Sequence, residues 1–266
     1  MRLAKLLSST HAVTSIIRNP SQEQDIKDVS ATPLILSLED SSTADFSNAF
    51  EGYDVVYFSA GAGGQGGEER TKKVDYEGAL KIFDAVEGVQ GEKPLLILVS
   101  AVDVRDPDKI PAHYVRQTSD SLLEGFLTRA NLQTEEDIAI SNRGRKAIPV
   151  YMHWKYEADK NLVKRTAFDW IILRPGGLTN NPGTGTASVG RAHLGKPISV
   201  YILVYHVQFC INLTPQCQRD DVAKTLALLV DRKDAAGLAI DIVGGDTPIQ
   251  DGLDAFIKKG ETDFLG

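Results

Sequence analysis

The order of apolar runs along the chain is the feature that most restricts its fold. Short β-rich runs alternate with stretches of helical periodicity, which is typical of a parallel sheet with helices on both faces. The predicted strands are 13–17, 33–36, 55–59, 95–100, 170–173 and 238–243, and the predicted helices are 3–9, 42–50, 72–86, 152–164, 220–230 and 250–259. We therefore expect an α/β fold, a doubly wound parallel sheet formed by residues 1–266 as one domain.

Composition excludes several classes of partner. The chain has 266 residues, 42% of them hydrophobic, which is enough for one domain with a sizeable core. Its net charge of −7 argues against nucleic acids and anionic membranes as partners. No signal peptide is visible, and the longest apolar run, 200–213, is too short to span a bilayer, so we expect a cytoplasmic protein. The two cysteines and five histidines show no metal-ligand spacing.

Tyr151 and Lys155 are the first candidates for chemistry. Residues four apart lie on one helix face, and a nearby ammonium favours the phenolate, which predicts a lowered tyrosine pKa. The helix precedes an apolar strand that ends in Arg174-Pro175-Gly176-Gly177, a turn that leaves backbone near a bound nucleotide. This order suggests a nicotinamide-dependent oxidoreductase.

The same spacing has weaker interpretations. A second match, Tyr156 and Lys160, follows five residues later, and the first is preferred because the downstream order fits it. An ordinary amphipathic helix with a solvated Lys155 is the alternative.

Other candidates follow the predicted strands, since ligands in open α/β sheets bind beyond the carboxyl ends of strands. The glycine-rich segment 59–64 could approach a phosphate or ribose, or it could be a plain surface loop. Ser100 could hydrogen-bond a substrate carbonyl or simply cap its strand. Arg18 has no acidic neighbour after the first strand, which favours a 2′-phosphate and hence NADP over NAD; a solvated arginine before a turn is the alternative.

In the order of its motifs, the chain resembles an atypical short-chain dehydrogenase/reductase, of the NAD(P)H-binding group related to the epimerase/dehydratase family. The stretches that carry the resemblance are VTSIIRNPSQ, DVVYFSAGAGG, VDYEGALKIFDA, LLILVSAVDVRDPDKIP, YMHWKYEADKNL, DWIILRPGGLT and VGGDTPI. The resemblance implies a Rossmann-like fold with catalytic Tyr151 and Lys155. It also implies a set of residues beside the cofactor: Arg18, Ser37, Leu38, Ser59, Ala60, Gly61, Gly63, Lys155, Pro175 and Gly176.

Three departures from the family pattern affect these expectations. Where relatives carry two serines, this chain has Ser100-Ala101, which leaves Ser100 as the stand-in for the substrate-polarising hydroxyl. Family members open with a strand and a glycine-rich turn that holds the pyrophosphate, whereas Met1 here coincides with the following helix. We therefore expect a sheet without its first, central strand. Finally, residues 115–133 and 200–218 fit the family poorly. Each segment begins with Val and ends with Gln, which in-frame GT…CAG intron boundaries could encode. The two segments are therefore either translated retained introns or genuine insertions.

Three functions remain open on this basis. The first is an NADP-dependent reductase or dehydrogenase that acts on a small carbonyl or alcohol substrate, whose identity the sequence does not specify. The second is a non-catalytic NADP(H)-binding sensor, motivated by Ala101. The third is a defective truncated product that binds nothing.

Overall fold

The computed structural model describes residues 1–62, 67–109, 137–190 and 216–264. The strands in this part of the chain are β1 (Thr14–Ile17), β2 (Thr32–Ile35), β3 (Val55–Phe58), β4 (Leu95–Val99), β5 (Trp170–Pro175), β6 (Gly177–Thr179), β7 (Thr186–Val189), β8 (Gln216–Gln218) and β9 (Ala239–Pro248). The helices are α1 (Arg2–Leu7), α2 (Glu23–Lys27), α3 (Thr43–Phe50), α4 (Gly67–Thr71), α5 (Gly78–Gly88), α6 (137–147), α7 (Pro149–Leu162), α8 (Arg219–Leu228) and α9 (Ile249–Lys259).

Each predicted strand and helix occurs, with its ends shifted by a few residues. A π-helical segment, Lys72–Glu77, joins α4 to α5. The main sheet has five strands in the order β3-β4-β5-β9-β7. Its first four strands are parallel, as predicted, whereas β7 pairs antiparallel with β9. An antiparallel edge strand on an otherwise parallel sheet is common in large α/β sheets.

Alternating side chains of the central strands fill two hydrophobic cores. Leu96 and Leu98 of β4 belong to the core under α3, α5 and α7, whereas Leu95 and Ile97 belong to the core under α8 and α9. Successive residues of a strand point to opposite faces, so a continuously apolar strand requires cover on both sides. This arrangement confirms the Rossmann-like α/β prediction.

The first two strands form a separate parallel sheet. Within the described residues, β3 pairs with β4 along one edge, and no strand pairs with its other edge. A hydrogen bond of 2.6 Å between Thr14 Oγ1 and Tyr53 Oη joins the start of β1 to the residues before β3. In the part of the chain that the structure describes, the sheet is thus interrupted between β1 and β3, where the family resemblance places the first strand.

The two segments that fit the family poorly are only partly described. Residues 115–133 and 200–215 lie outside the described residues, while the end of the second segment forms β8, parallel to β6. The short elements α2, β6, β7 and β8 were not predicted. None of the helices in the described ranges has the length and apolar character needed to cross a membrane.

Candidate active site

The carboxyl ends of β3, β4 and β5 meet at one edge of the main sheet, because these strands are parallel neighbours. Ser59, Ala60 and Gly61 follow β3 and are exposed. Ser100 follows β4 and is buried. Gly63, which was predicted beside the cofactor, lies outside the described residues. The edge therefore combines an exposed, glycine-containing segment with a buried hydroxyl.

Pro175 and Gly176 are buried at the end of β5. The Pro175 carbonyl accepts a hydrogen bond of 2.9 Å from the Val102 amide, and the Gly176 amide donates to the Ile242 carbonyl at 2.9 Å. These backbone groups form hydrogen bonds within the protein, so a ligand at this edge would contact the residues that follow Gly176.

Helix α7 carries Tyr151, Lys155 and Asp159 at intervals of four residues, which places them on one face. The Lys155 ammonium lies 5.9 Å from the centre of the Tyr151 ring. It donates to the Val99 carbonyl at 3.2 Å and pairs with Asp75 Oδ1 at 3.2 Å. Lys155 and Asp75 are both buried, so the lysine is a member of an internal ion pair rather than a solvated side chain.

The Tyr151 pKa differs from the sequence prediction. Burial of the phenol raises this pKa, the Lys155 ammonium lowers it, and the carboxylates of Asp75 and Asp159 raise it further. The net direction is upward, so the prediction of a lowered pKa was wrong. Burial disfavours the phenolate more than one ammonium, already paired with Asp75, favours it.

Ser100 is bound to a carboxylate that sequence reasoning missed. Its hydroxyl donates to Asp159 Oδ2 at 2.9 Å, within a fully buried pair. Burial raises the pKa of Asp159 to about 6, although Arg174, Ser100 and Lys155 each lower it. While Asp159 is ionised, the single Ser100 proton is committed to it, and Ser100 can offer a ligand only its lone pairs.

Asp75 is a second missed residue, and it connects three parts of the site. Besides the Lys155 contact, Asp75 Oδ2 accepts a hydrogen bond of 2.9 Å from the Ala62 amide. A Cβ on Gly61 would lie 2.8 Å from Asp75 Oδ1, so the glycine is required by close approach. The one signal in the sequence was an acidic residue between two hydrophobic ones, in Val74-Asp75-Tyr76, within a predicted helix.

Arg174 is the third missed residue. It is 2% exposed, and its guanidinium pairs with Asp241 Oδ1 at 3.1 Å and donates to the carbonyls of Val104 and Asp263, both at 2.7 Å. Burial raises the pKa of Asp241 to about 8, and the Arg174 charge opposes this rise. The signal in the sequence was a charged residue inside an apolar strand. In the structure, the hydrogen bonds from Arg174 to the carbonyls of Ala101 and Val104 hold the segment that follows Ser100.

Arg18, Ser37 and Leu38 follow the neighbouring strands β1 and β2. Arg18 is exposed. The Ser37 hydroxyl donates to Asp40 Oδ2 at 2.6 Å. Leu38 packs on Gly78 of α5, where an added Cβ would lie 2.6 Å from its Cδ2 atom. Adjacent parallel strands thus bring these three residues, which were predicted beside the cofactor, to one edge of the small sheet, and Leu38 contacts α5.

Some polar atoms near this edge have no hydrogen-bond partner among the described residues. They include the buried Thr179 Oγ1, after β5, and Trp154 Nε1, on α7. Asp75 Oδ1 and Asp159 Oδ1 also lack a hydrogen-bond partner among these residues. The 3.2 Å contact between Asp75 Oδ1 and the Lys155 ammonium is an ion pair without hydrogen-bond geometry. Within the described ranges, no group of three His, Cys, Asp or Glu residues could hold a metal ion.

Comparisons with known proteins agree with this geometry. The sequence model of the NAD(P)H-binding family matches residues 2–142 and 126–233. A UPF0659 protein of Schizosaccharomyces pombe is 33% identical over 96% of this chain and 88% of its own length. YhfK of Bacillus subtilis, named an uncharacterized sugar epimerase, is 28% identical over 91% of this chain and 87% of its own length.

Solved structures show the same architecture. A Bacillus halodurans protein, provisionally assigned as an NAD-dependent epimerase/dehydratase, aligns with a TM-score of 0.66 at 25% identity, over 96% of this chain and 92% of its own. ChuY of Escherichia coli O157:H7, an anaerobillin reductase, aligns with a TM-score of 0.58 at 16% identity, over 92% and 91% of the two chains; it supports the fold alone. Because the family model spans most of the residues that build the parallel sheet and its carboxyl edge, this chain belongs to the NAD(P)H-binding family.

Proposed function

We propose that the protein is an NADP(H)-dependent reductase or dehydrogenase that acts on a small carbonyl or alcohol substrate. The observation that carries the proposal is the shared face of α7, where Tyr151 and Lys155 lie beside the end of β4. Ser100 follows the same strand. A phenol and an ammonium at the carboxyl edge are donor groups that carbonyl reduction needs, and protonation of Asp159 would free the Ser100 proton as a further donor.

The residues at this edge fit a nicotinamide dinucleotide. The Thr179 hydroxyl oxygen is buried and has no hydrogen-bond partner among the residues that the structure describes, so it can form a hydrogen bond with a polar group of a ligand. The exposed segment Ser59–Gly61 allows close approach. Arg18 is exposed after β1, and no ion-pair partner for it occurs among the described residues. An arginine in this position suits a 2′-phosphate, so NADP is preferred over NAD.

Tyr151 is the proposed proton donor. The phenol is protonated near neutral pH and can therefore donate a proton to a substrate oxygen during reduction. The upward shift of its pKa makes it a weaker acid, and the positive charge of Lys155 opposes that shift. The dinucleotide, when bound, supplies the hydride. Lys155 holds positive charge beside the phenol, so it stabilises the phenolate that proton donation leaves. A ribose hydroxyl would compete with Asp75 for this ammonium.

The test is NADPH oxidation measured against a panel of small aldehydes and ketones. We expect Tyr151→Phe to reduce turnover by about 10²-fold or more, because general-acid catalysis contributes on that scale. Tyr156→Phe is the matched control: it alters the second Tyr-x-x-x-Lys match on the same helix and should leave turnover near that of the wild type. Equal turnover in the wild type and Tyr151→Phe would contradict the assignment.

A non-catalytic NADP(H) sensor is the second candidate. Two observations favour it: Lys155 is engaged by Asp75, and Ala101 follows Ser100 where relatives have a second serine. This candidate predicts cofactor binding without turnover and a protein partner whose affinity changes with NADPH. Partner binding that is identical with and without the dinucleotide would eliminate it.

A further inference from the structure

A cavity of about 180 Å³ lies beside α7, away from the face that carries Tyr151. Its polar wall consists of Arg105, Arg145 and His153, and its apolar wall includes Met152 and Tyr156 together with two prolines. Met152, His153 and Tyr156 occupy a separate stripe of α7 from Tyr151, Lys155 and Asp159. The cavity is therefore a neighbour of the candidate active site and does not share its polar groups.

The charge of Arg105 is satisfied within the protein. Its guanidinium contacts Asp103 Oδ1 at 2.9 Å and Ser141 Oγ at 2.9 Å, and it also donates to the carbonyls of Asp106 and Lys109. Ser141 in turn donates to Asp103 Oδ2 at 2.6 Å. These bonds fix one side of the cavity and leave little of the Arg105 charge for another partner.

Arg145 differs from Arg105 in this respect. Its Nη1 atom makes two long contacts with backbone carbonyls, to Asp103 at 3.3 Å and to Arg105 at 3.5 Å. No carboxylate among the described residues lies within ion-pair distance of it. Burial and the Arg105 charge lower the pKa of Arg145, while the charges of Asp103 and Asp106 oppose this effect. A half-buried guanidinium with this environment would be stabilised by an anion.

We propose that this cavity, the Arg145 cavity, binds the acidic group of a small ligand, a carboxylate or a phosphate. Arg145 contributes a guanidinium whose remaining N–H groups match the paired oxygens of such a group. His153, exposed at the cavity, contributes a ring N–H that can donate to the same acidic group. Met152 and Tyr156 provide apolar surface for the rest of the ligand. The proposal does not depend on the catalytic role of Tyr151.

The test is calorimetric titration of the full chain with benzoate and with inorganic phosphate at low ionic strength. We expect saturable binding of one equivalent by at least one of them, and benzoate alone would identify a carboxylate site. Arg145→Gln should weaken binding by about tenfold or more, the loss of one charge-assisted hydrogen bond. Arg143→Gln removes the same charge from an exposed position on the same helix and should leave affinity unchanged.

Three outcomes would overturn the proposal: neither probe binds, Arg143→Gln weakens binding as much as Arg145→Gln, or Arg145→Gln folds and binds normally.

Circular dichroism establishes whether Arg145→Gln is folded. If it is not, His153→Ala provides the test, because an exposed side chain is removed without loss of core contacts. Affinity equal to that of the wild type in His153→Ala would then contradict the proposal. Tyr151→Phe should bind each probe with the affinity of the wild type, which separates this site from the proposed catalytic one.

Discussion

The buried carboxyl group of Asp159 makes the stability of the protein depend on pH. Its pKa rises from an ordinary value of 3.8 to about 6 because the carboxyl group is buried. Between these values the folded protein holds a proton that the unfolded chain has lost. The stability contributed by Asp159 is therefore greatest at low pH and falls as pH rises toward 6. The difference between 3.8 and about 6 corresponds to about 3 kcal/mol.

Asp159→Asn, which resembles the protonated acid, tests this behaviour. We expect the free energy of unfolding of the variant, relative to the wild type, to increase by about 3 kcal/mol between pH 4 and pH 7. Urea denaturation at several pH values measures it. A difference between the two proteins that is the same at every pH would show that Asp159 ionises normally.

Helix α7 is joined to the π-helical segment before α5 by a buried ion pair. Lys155 and Asp75 form a buried ion pair, with side chains 5% and 0% exposed. Removing one member leaves the other charge buried without its partner, at a cost of about 3–5 kcal/mol. We expect Lys155→Met to lower the free energy of unfolding by about this amount, and Lys155→Met combined with Asp75→Leu to restore most of it.

A double-mutant cycle in urea provides the measurement for this pair. Additive losses in the two single variants and the double variant would mean that the charges do not interact. Lys160→Met is the control, since this exposed lysine on the same helix pairs with Glu157 at 3.6 Å and should contribute little.

Local patterns predicted the elements better than the site. The strands β4 and β5 followed from apolar runs, and the Tyr151–Lys155 spacing followed from helical geometry. The roles of Asp75, Asp159 and Arg174 depend on partners far away in the chain, which no local pattern encodes. The strands β6, β7 and β8 have three or four residues each, and their sequences GLT, TASV and QCQ contain no continuous apolar run that would predict a strand.

At the scale of the whole molecule, the interrupted sheet divides the fold into parts of unequal stability. The β1–β2 sheet rests on a small cluster of Ala4, Ile17, Ile26 and Ala31, whereas β4 and β5 lie between two large cores. Ile16 and Ile35 are 42% and 48% exposed. Local opening requires less free energy where little apolar surface is buried.

We therefore predict the order in which the strands open, which native-state hydrogen exchange of their backbone amides measures. The amides of β1 and β2 should exchange with a lower opening free energy than those of β4 and β5. Exchange at one common free energy for all four strands would show that the two sheets open as a single unit. A strand that occupies the gap between β1 and β3 should raise the protection of β1 by pairing its free edge.

The central claim is that the carboxyl edge of this fold binds a nicotinamide dinucleotide, with Arg18 selecting the phosphorylated form. Calorimetric titration of the full chain with NADPH and with NADH tests it most directly. We predict saturable binding that is tighter for NADPH, and we expect Arg18→Gln, but not Lys27→Gln, to reduce this preference by about tenfold. Absence of saturable binding for both dinucleotides would contradict it.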